Sequence, residues 1–355
     1  MQAQWTRPHP MQYFWQSQII RDEPIFFVHH NGEDAPAGVL LLEVDELLAV
    51  TDAAGDTVYE QGRDFILQAD RRHIILPPDS RIAFKRKEEL YPAEGDPVAK
   101  RRGDGYLLFA ESPLFAQLQV RVTYRHAGWR LPIPPSRIDD LPRTRQRFMD
   151  NGTLRLALFG DSISAGSNAT GCMNIPPYRP AYAEQVAQAI QDRCGVTVEF
   201  ANEAVGGMDA RWGHDQIQLV IQHAPHLVIL AWGMNDASGH RTPQAFSQLI
   251  QAQVDAVRAS LPDTEFVLVA SMTANPQWAH ASPDLYPTYR DALAALCLPG
   301  VLLPGAGVVL ADVTTLWLAM LQRKPFLDMT GNGLNHPNDF GHSLYAQVVC
   351  ATLGL

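Results

Sequence analysis

Leu154-Arg155-Leu156-Ala157-Leu158-Phe159-Gly160-Asp161-Ser162-Ile163-Ser164-Ala165-Gly166 decides how the second half of this chain is read. Leu154–Phe159 is a short apolar run, the pattern of a strand buried in a parallel sheet. It stops at a glycine, and Ser162 follows inside a turn flanked by Gly160 and Gly166. A serine so placed is exposed near a helix N-terminus, where backbone N–H groups stabilise developing negative charge. Standing alone, the segment also reads as an N-capping serine.

The residues that follow repeat the theme. Val196–Ala201, Leu227–Trp232, Phe266–Ala270 and Val308–Val313 are further apolar runs of strand length. Between them Tyr182–Cys194, Gly213–His223, Pro243–Leu261 and Leu285–Leu296 carry apolar residues at helical spacing, and a last helix runs from Phe340 to about Leu353. Pro243 suits a first helical turn. Strand alternating with helix predicts an α/β fold, a parallel sheet covered by helices on both faces.

The first 150 residues have a different period. Short β-branched and aromatic segments (Ile25–His30, Val39–Val44, Leu47–Thr51, Phe65–Leu67, His73–Leu76, Tyr106–Phe109, Ala116–Tyr124) alternate with turn signals such as Asn31-Gly32 and Pro77-Pro78. That spacing predicts an all-β sandwich or jelly roll. Lys85–Asp104, dense in mixed charge, reads as a solvated hairpin or loop, with reach toward an anionic sugar as the sharper alternative. The expected organisation is a β-sandwich accessory domain over 1–135, a linker over 136–152 stiffened by Pro132, Pro134 and Pro135 at its start, and an α/β domain over 153–355.

In a doubly wound sheet, ligands bind outside the carboxyl ends of the strands. Three more polar loops belong there. Asn202-Glu203-Ala204-Val205-Gly206-Gly207-Met208 offers paired glycines that let backbone N–H groups approach a ligand. Ala231-Trp232-Gly233-Met234-Asn235-Asp236 offers a side-chain amide, and Gly331-Asn332-Gly333-Leu334-Asn335-His336-Pro337-Asn338-Asp339 offers a histidine able to serve as general base. Each alone reads as well as a turn, a cap or a surface residue. Together, in this order, they resemble the SGNH (GDSL-type) hydrolases across Leu154–Leu355.

The resemblance implies a flavodoxin-like three-layer α/β/α domain and an esterase mechanism with no metal and no organic cofactor. It casts Ser162 as nucleophile and first oxyanion donor, Gly207 as a backbone donor, Asn235 as a side-chain donor and His336 as general base. A histidine within hydrogen-bond reach must take the serine proton as the ester bond is attacked, and preorganised donors must hold the oxyanion. One departure stands out. The family usually places an aspartate three residues before the histidine, and here that residue is Gly333. Three candidates remain for orienting the ring: the Gly333 backbone carbonyl, which is favoured, or the carboxylates of Asp339 and Asp328. An α/β-hydrolase is the weaker reading, although Asp312 would suit its Ser…Asp…His order. Gly160-Asp161-Ser162-Ile163-Ser164 lacks the second glycine of a Gly-x-Ser-x-Gly elbow.

A β-sandwich ahead of such a domain resembles carbohydrate esterases more loosely. That implies removal of acetyl groups from acetylated, hemicellulose-type oligosaccharides, a small acylated carbohydrate being the partner. Trp232 and Trp278 are candidates to offer flat faces to a sugar ring. The alternatives are a sugar O-acyltransferase on the same scaffold and a carbohydrate-binding protein with a degenerate hydrolase domain.

Composition trims the list of partners. The chain has 355 residues, 46% hydrophobic and 19% charged, with a net charge of −10. Basic and acidic residues number 19 and 22 in the first 150 positions, and 9 and 16 in the remaining 205. Neither half has the cationic face that nucleic acid demands. No apolar run approaches the ~18 residues that cross a bilayer. Met1–Ile20 shows no secretory pattern, and Cys172, Cys194, Cys297 and Cys350 show no metal or disulfide spacing. A cytoplasmic location is therefore expected. The oligomeric state is not encoded in any of these patterns.

Overall fold

The computed structural model describes residues 11–298 and 307–355. Residues 1–10, half of the stretch read for a secretory leader and the start of the expected β-domain, lie outside the described residues.

The apolar runs of the second half form a five-stranded parallel sheet. Its spatial order is Thr197–Asn202, Thr153–Gly160, Leu227–Ala231, Glu265–Ala270, Val308–Asp312. In chain order this is 2-1-3-4-5, the flavodoxin-like winding, whose switch point lies between the first and third strands. There Gly160 pairs with Ala231, so the serine turn and the Trp232–Asp236 turn leave the sheet side by side. The helix Tyr182–Cys194 packs on Asp339–Thr352, and Pro243–Ser260 packs on Leu285–Leu296. The expected three-layer α/β/α architecture holds. Where one helix was expected over Gly213–His223, two short ones form, Ala210–Asp215 and Gln218–Ile221. No helix among the described residues is long and apolar enough to cross a membrane, and none of the four cysteines forms a disulfide.

The first half is sheet-rich. Ile19–Phe26, Gln119–His126 and Val44–Thr51 form a three-stranded antiparallel sheet with Gln119–His126 in the centre. Five short strands, Ile66–Leu67, His73–Ile75, Ala37–Val39, Val28–His29 and Lys85–Arg86, form a second sheet. The charged run Lys85–Asp104 divides between a 3-10 turn at Lys87–Leu90 and a hairpin of Ala99–Arg102 with Gly105–Leu108. Ala116–Leu118, expected as strand, belongs instead to the helical turn Leu114–Leu118. Local alternation is overridden there because Phe115 is drawn into a small apolar cluster with Phe26, Val28, Leu108 and Ala110.

The connection is helical rather than purely extended. Pro142–Met149 is a helix whose first turn donates the N–H groups of Arg143 (3.0 Å) and Thr144 (2.7 Å) to the buried carboxylate of Glu265. One apolar core runs through both halves, joining Ile20, Ile25 and Tyr124 to Leu154, Leu156 and Phe340.

A buried ionic cluster adds a polar tie. Lys324 Nζ donates to Glu23 Oε1 and to the Val39 carbonyl (2.9 Å), and lies 3.1 Å from Asp328 Oδ2. Tyr124 donates its hydroxyl proton to Glu23 Oε2 at 2.6 Å, and Phe26 N–H donates to Asp328 Oδ1 at 2.8 Å. Burial pushes the Asp328 carboxyl up to about 6, against the pull of the Lys324 ammonium. Replacing Lys324 with methionine leaves two carboxylates facing each other without a cation. That change is expected to cost about 3–5 kcal/mol in urea unfolding; a loss under ~1 kcal/mol would show that the cluster does not hold the halves together.

Candidate active site

The strand Thr153–Gly160 ends where its neighbour leaves no room for a side chain. A Cβ on Gly160 would lie 2.5 Å from both the Ala231 carbonyl oxygen and Ser164 Oγ. Beyond it the chain turns tightly, with Ile163 N–H donating to Asp161 Oδ1 (3.0 Å) and Ser167 N–H to the Ser162 carbonyl (2.9 Å). Burial pushes the Asp161 carboxyl up to about 7, even though it accepts the Ile163 N–H. The turn leaves Ser162 with 6% of its surface exposed, facing His336 at 7%.

The histidine loop is built around Asn332. Its Oδ1 accepts the N–H groups of Leu334 (2.9 Å), Asn335 (3.0 Å) and His336 (3.2 Å), which fixes the orientation of the amide. Its Nδ2 then meets three atoms, Glu111 Oε1 at 3.1 Å, Asn335 Oδ1 at 3.0 Å and His336 Nδ1 at 3.1 Å, and its two hydrogens go to the two oxygens, which can only accept. His336 Nδ1 lies 2.7 Å from Asn168 Oδ1, whose amide is oriented by Nδ2 donating to the Gly331 carbonyl at 3.1 Å. With both Asn332 hydrogens engaged, the network assigns the ring proton to Nδ1, donated to Asn168 Oδ1. Nε2 is left as the acceptor, 2.9 Å from Ser162 Oγ.

None of the three expected orienting groups reaches the ring. The Gly333 carbonyl accepts Asn275 Nδ2 at 2.9 Å. Asp339 is turned to Thr170, accepting its N–H (2.9 Å) and hydroxyl (2.7 Å). Asp328 belongs to the Lys324 cluster. Asn168 and Glu111 stand in their place, and Glu111 Oε2 is 3.4 Å from His336 Nδ1. Burial favours a neutral Glu111, but His336 and the Asn332 amide outweigh it and hold the carboxyl below the usual glutamate range. Asn168 carried one local signal, a short amide in a Gly-rich turn; its φ of +63° is the left-handed region that asparagine tolerates. Glu111 carried none, because it arrives from the other half of the chain.

The donor loops flank the serine. Gly206 passes close to it, its missing Cβ 3.7 Å from Ser162 Cβ, and Gly207 follows at φ +79°, exposed and in open space. Among the described residues, neither the Ser162 nor the Gly207 N–H has a protein acceptor. Asn235 donates one amide hydrogen to the Met208 carbonyl at 2.8 Å, keeping a second. Asp236 accepts Arg241 Nε (2.6 Å) and Ala210 N–H, and Arg241 also reaches Asp209, so the two loops are tied together. Burial raises the Asp236 carboxyl to about 6 against those partners.

Trp232 is corrected. It is 2% exposed, packs edge-on to Phe159 at 5.1 Å and donates Nε1–H to Gln253 at 3.0 Å, so it is core rather than a sugar platform. Trp278 is half-buried on the loop after Glu265–Ala270, bridged to Arg102 of the hairpin. Among the described residues, no three His, Cys, Asp or Glu side chains are grouped to hold a metal ion.

Comparison with known proteins gives the family. The model of the GDSL-like lipase/acylhydrolase family matches residues 158–344. Similar solved structures include a two-domain esterase active on acetylated mannans, co-crystallised with mannopentaose, at 21% identity, covering 62% of this chain and 54% of that one with a TM-score of 0.47. An acetylxylan esterase from Geobacillus stearothermophilus has 15% identity, 58% and 97% coverage and a TM-score of 0.45. A family 3 carbohydrate esterase from Clostridium thermocellum has 13% identity, 56% and 93% coverage and a TM-score of 0.42. This chain thus spans about half the length of the two-domain esterase. No curated protein matches the sequence.

Proposed function

The chain belongs to the GDSL-like lipase/acylhydrolase family, and from that premise we propose that it is a serine esterase that removes acetyl groups from acetylated oligosaccharides. The observation that carries the reading is the 2.9 Å contact between Ser162 Oγ and Nε2 of His336, the nitrogen to which the surrounding network assigns the acceptor role. In this mechanism His336 takes the serine proton as Oγ attacks the ester carbonyl. The oxyanion is received by the N–H groups of Ser162 and Gly207 and the remaining amide hydrogen of Asn235. Collapse breaks the bond to the sugar oxygen, which takes the proton from His336 Nε2 and leaves as the free hydroxyl. Water then enters by the same base and releases acetate.

A small acyl group suits a serine and histidine that are both almost covered. A polar alcohol suits the cluster in which Tyr91, just after the 3-10 turn, lies under Arg102 of the hairpin and against Gln277, next to Trp278. The test is acetate release from acetylated xylo-, manno- and gluco-oligosaccharides beside a small activated acetate. Release from the oligosaccharides supports the reading; no release from any of them or from the activated ester rejects it. Asn235→Ala is expected to lower kcat by about 10²-fold with KM little changed, because the donor acts on charge that exists only in the transition state. A loss confined to KM would remove Asn235 from the oxyanion site.

A further inference from the structure

We propose that Glu111, carried by the N-terminal half, is the positioning carboxylate for His336, taking over from a position 333 that packing keeps as glycine. The inference rests on the esterase reading above and concerns the same site. Gly333 has φ +87°, and a Cβ there would lie 2.6 Å from Phe115 Cζ and far inside contact distance of the Leu108 carbonyl oxygen. Leu108 ends the hairpin and Phe115 lies in the helical turn just after it, so both belong to the stretch from Leu108 to Phe115. The same segment that bars a side chain from position 333 therefore delivers a carboxylate three residues after Leu108.

The delivery is geometrically fixed. Ala110 N–H donates to the Asn332 carbonyl at 3.2 Å, tying the two backbones together. Glu111 Oε1 then accepts Asn332 Nδ2 at 3.1 Å, which leaves Oε2 at ion-pair distance, 3.4 Å, from His336 Nδ1. Asn168 and Glu111 divide the work. Asn168 is the nearer acceptor and sets the tautomer and the ring plane, but it is neutral. When Ser162 passes its proton to Nε2 the ring becomes a cation, and Glu111 is the carboxylate beside it. No proton moves to Glu111; it acts by charge alone. Its side chain is 51% exposed, so water weakens its field and the effect falls short of that of a buried triad acid.

The test uses the full chain with Glu111→Gln and Glu111→Asp, an activated acetate as substrate, and NMR titration of the His336 ring in the resting protein. Glu111→Gln is expected to lower kcat by about 10- to 100-fold with KM within twofold. The acid limb of the kcat/KM profile and the His336 ring midpoint should both move to lower pH, since the loss of an anion 3.4 Å away disfavours the cation. Glu111→Asp should recover part of both, and equal urea midpoints for the variants exclude misfolding. An unchanged ring midpoint and acid limb in Glu111→Gln would overturn the proposal. A parent protein inactive on every acetate, but with a ring midpoint that moves in Glu111→Gln, would overturn the esterase reading while sustaining the carboxylate–imidazole pair.

Discussion

Ser162→Ala is expected to lower kcat for an activated acetate by about 10⁴-fold or more while leaving the urea unfolding curve in place. The size follows from the chemistry, since without Oγ there is no acyl-enzyme and His336 has no proton to take. The donors on Ser162, Gly207 and Asn235 would survive, so a small residual rate by direct water attack is expected. Stability should hold because the hydrogen bond lost with Oγ is the one to His336 Nε2, and the substitution removes a single atom. Activity within tenfold of the parent would remove Ser162 from the mechanism. Single-turnover measurement of acetyl transfer to the protein gives the same answer independently, since only the parent can be labelled.

Gly333→Ala should be the most damaging of the small substitutions. The left-handed φ costs an L-residue about 1–2 kcal/mol, and overpacking against Phe115 and Leu108 adds about 1–3 kcal/mol. Gly32 supplies the control, with φ +86° and nothing within 4 Å of its Cβ position. Gly32→Ala is expected to show the backbone cost alone, about 1–2 kcal/mol, and Gly333→Ala clearly more. Relief of the clash would also push the Asn332–His336 loop away from Ser162, so kcat should fall together with stability. Equal destabilisation of the two variants would mean that the segment after Leu108 yields readily, and the explanation for a glycine at 333 would fail.

Much of the α/β half was legible because its signals are local. Runs such as Leu154–Phe159 and Leu227–Ala231 declare buried parallel strands by composition alone, and the polar loops that follow them must emerge at one end of the sheet. Ser162, Gly207, Asn235 and His336 stand on such loops, the resemblance to the family singles them out as candidates, and the fold brings Ser162 and His336 into contact. The β half was legible as sheet and little more. Its strands are two to eight residues long, so pairing and register depend on partners distant in sequence. The helical turn Leu114–Leu118 shows the cost of reading locally: alternation favoured a strand, and burial of Phe115 decided otherwise.

Two assignments depended wholly on contacts between distant segments. Trp232 ends an apolar strand and looked available to a sugar, but only the packed neighbours Phe159 and Trp212 reveal that the ring faces inward. The orienting group for His336 was sought within its own loop, where the carboxylates of Asp328 and Asp339 were in plain view. Each was already engaged, by Lys324 and by Thr170. Local chemistry settles which residue types can attack, accept a proton or bear φ near +90°, and those constraints are written in short stretches of chain. Which carboxylate meets an imidazole is set by the folding together of Glu111 and His336, which lie far apart in sequence, and no local pattern encodes that meeting.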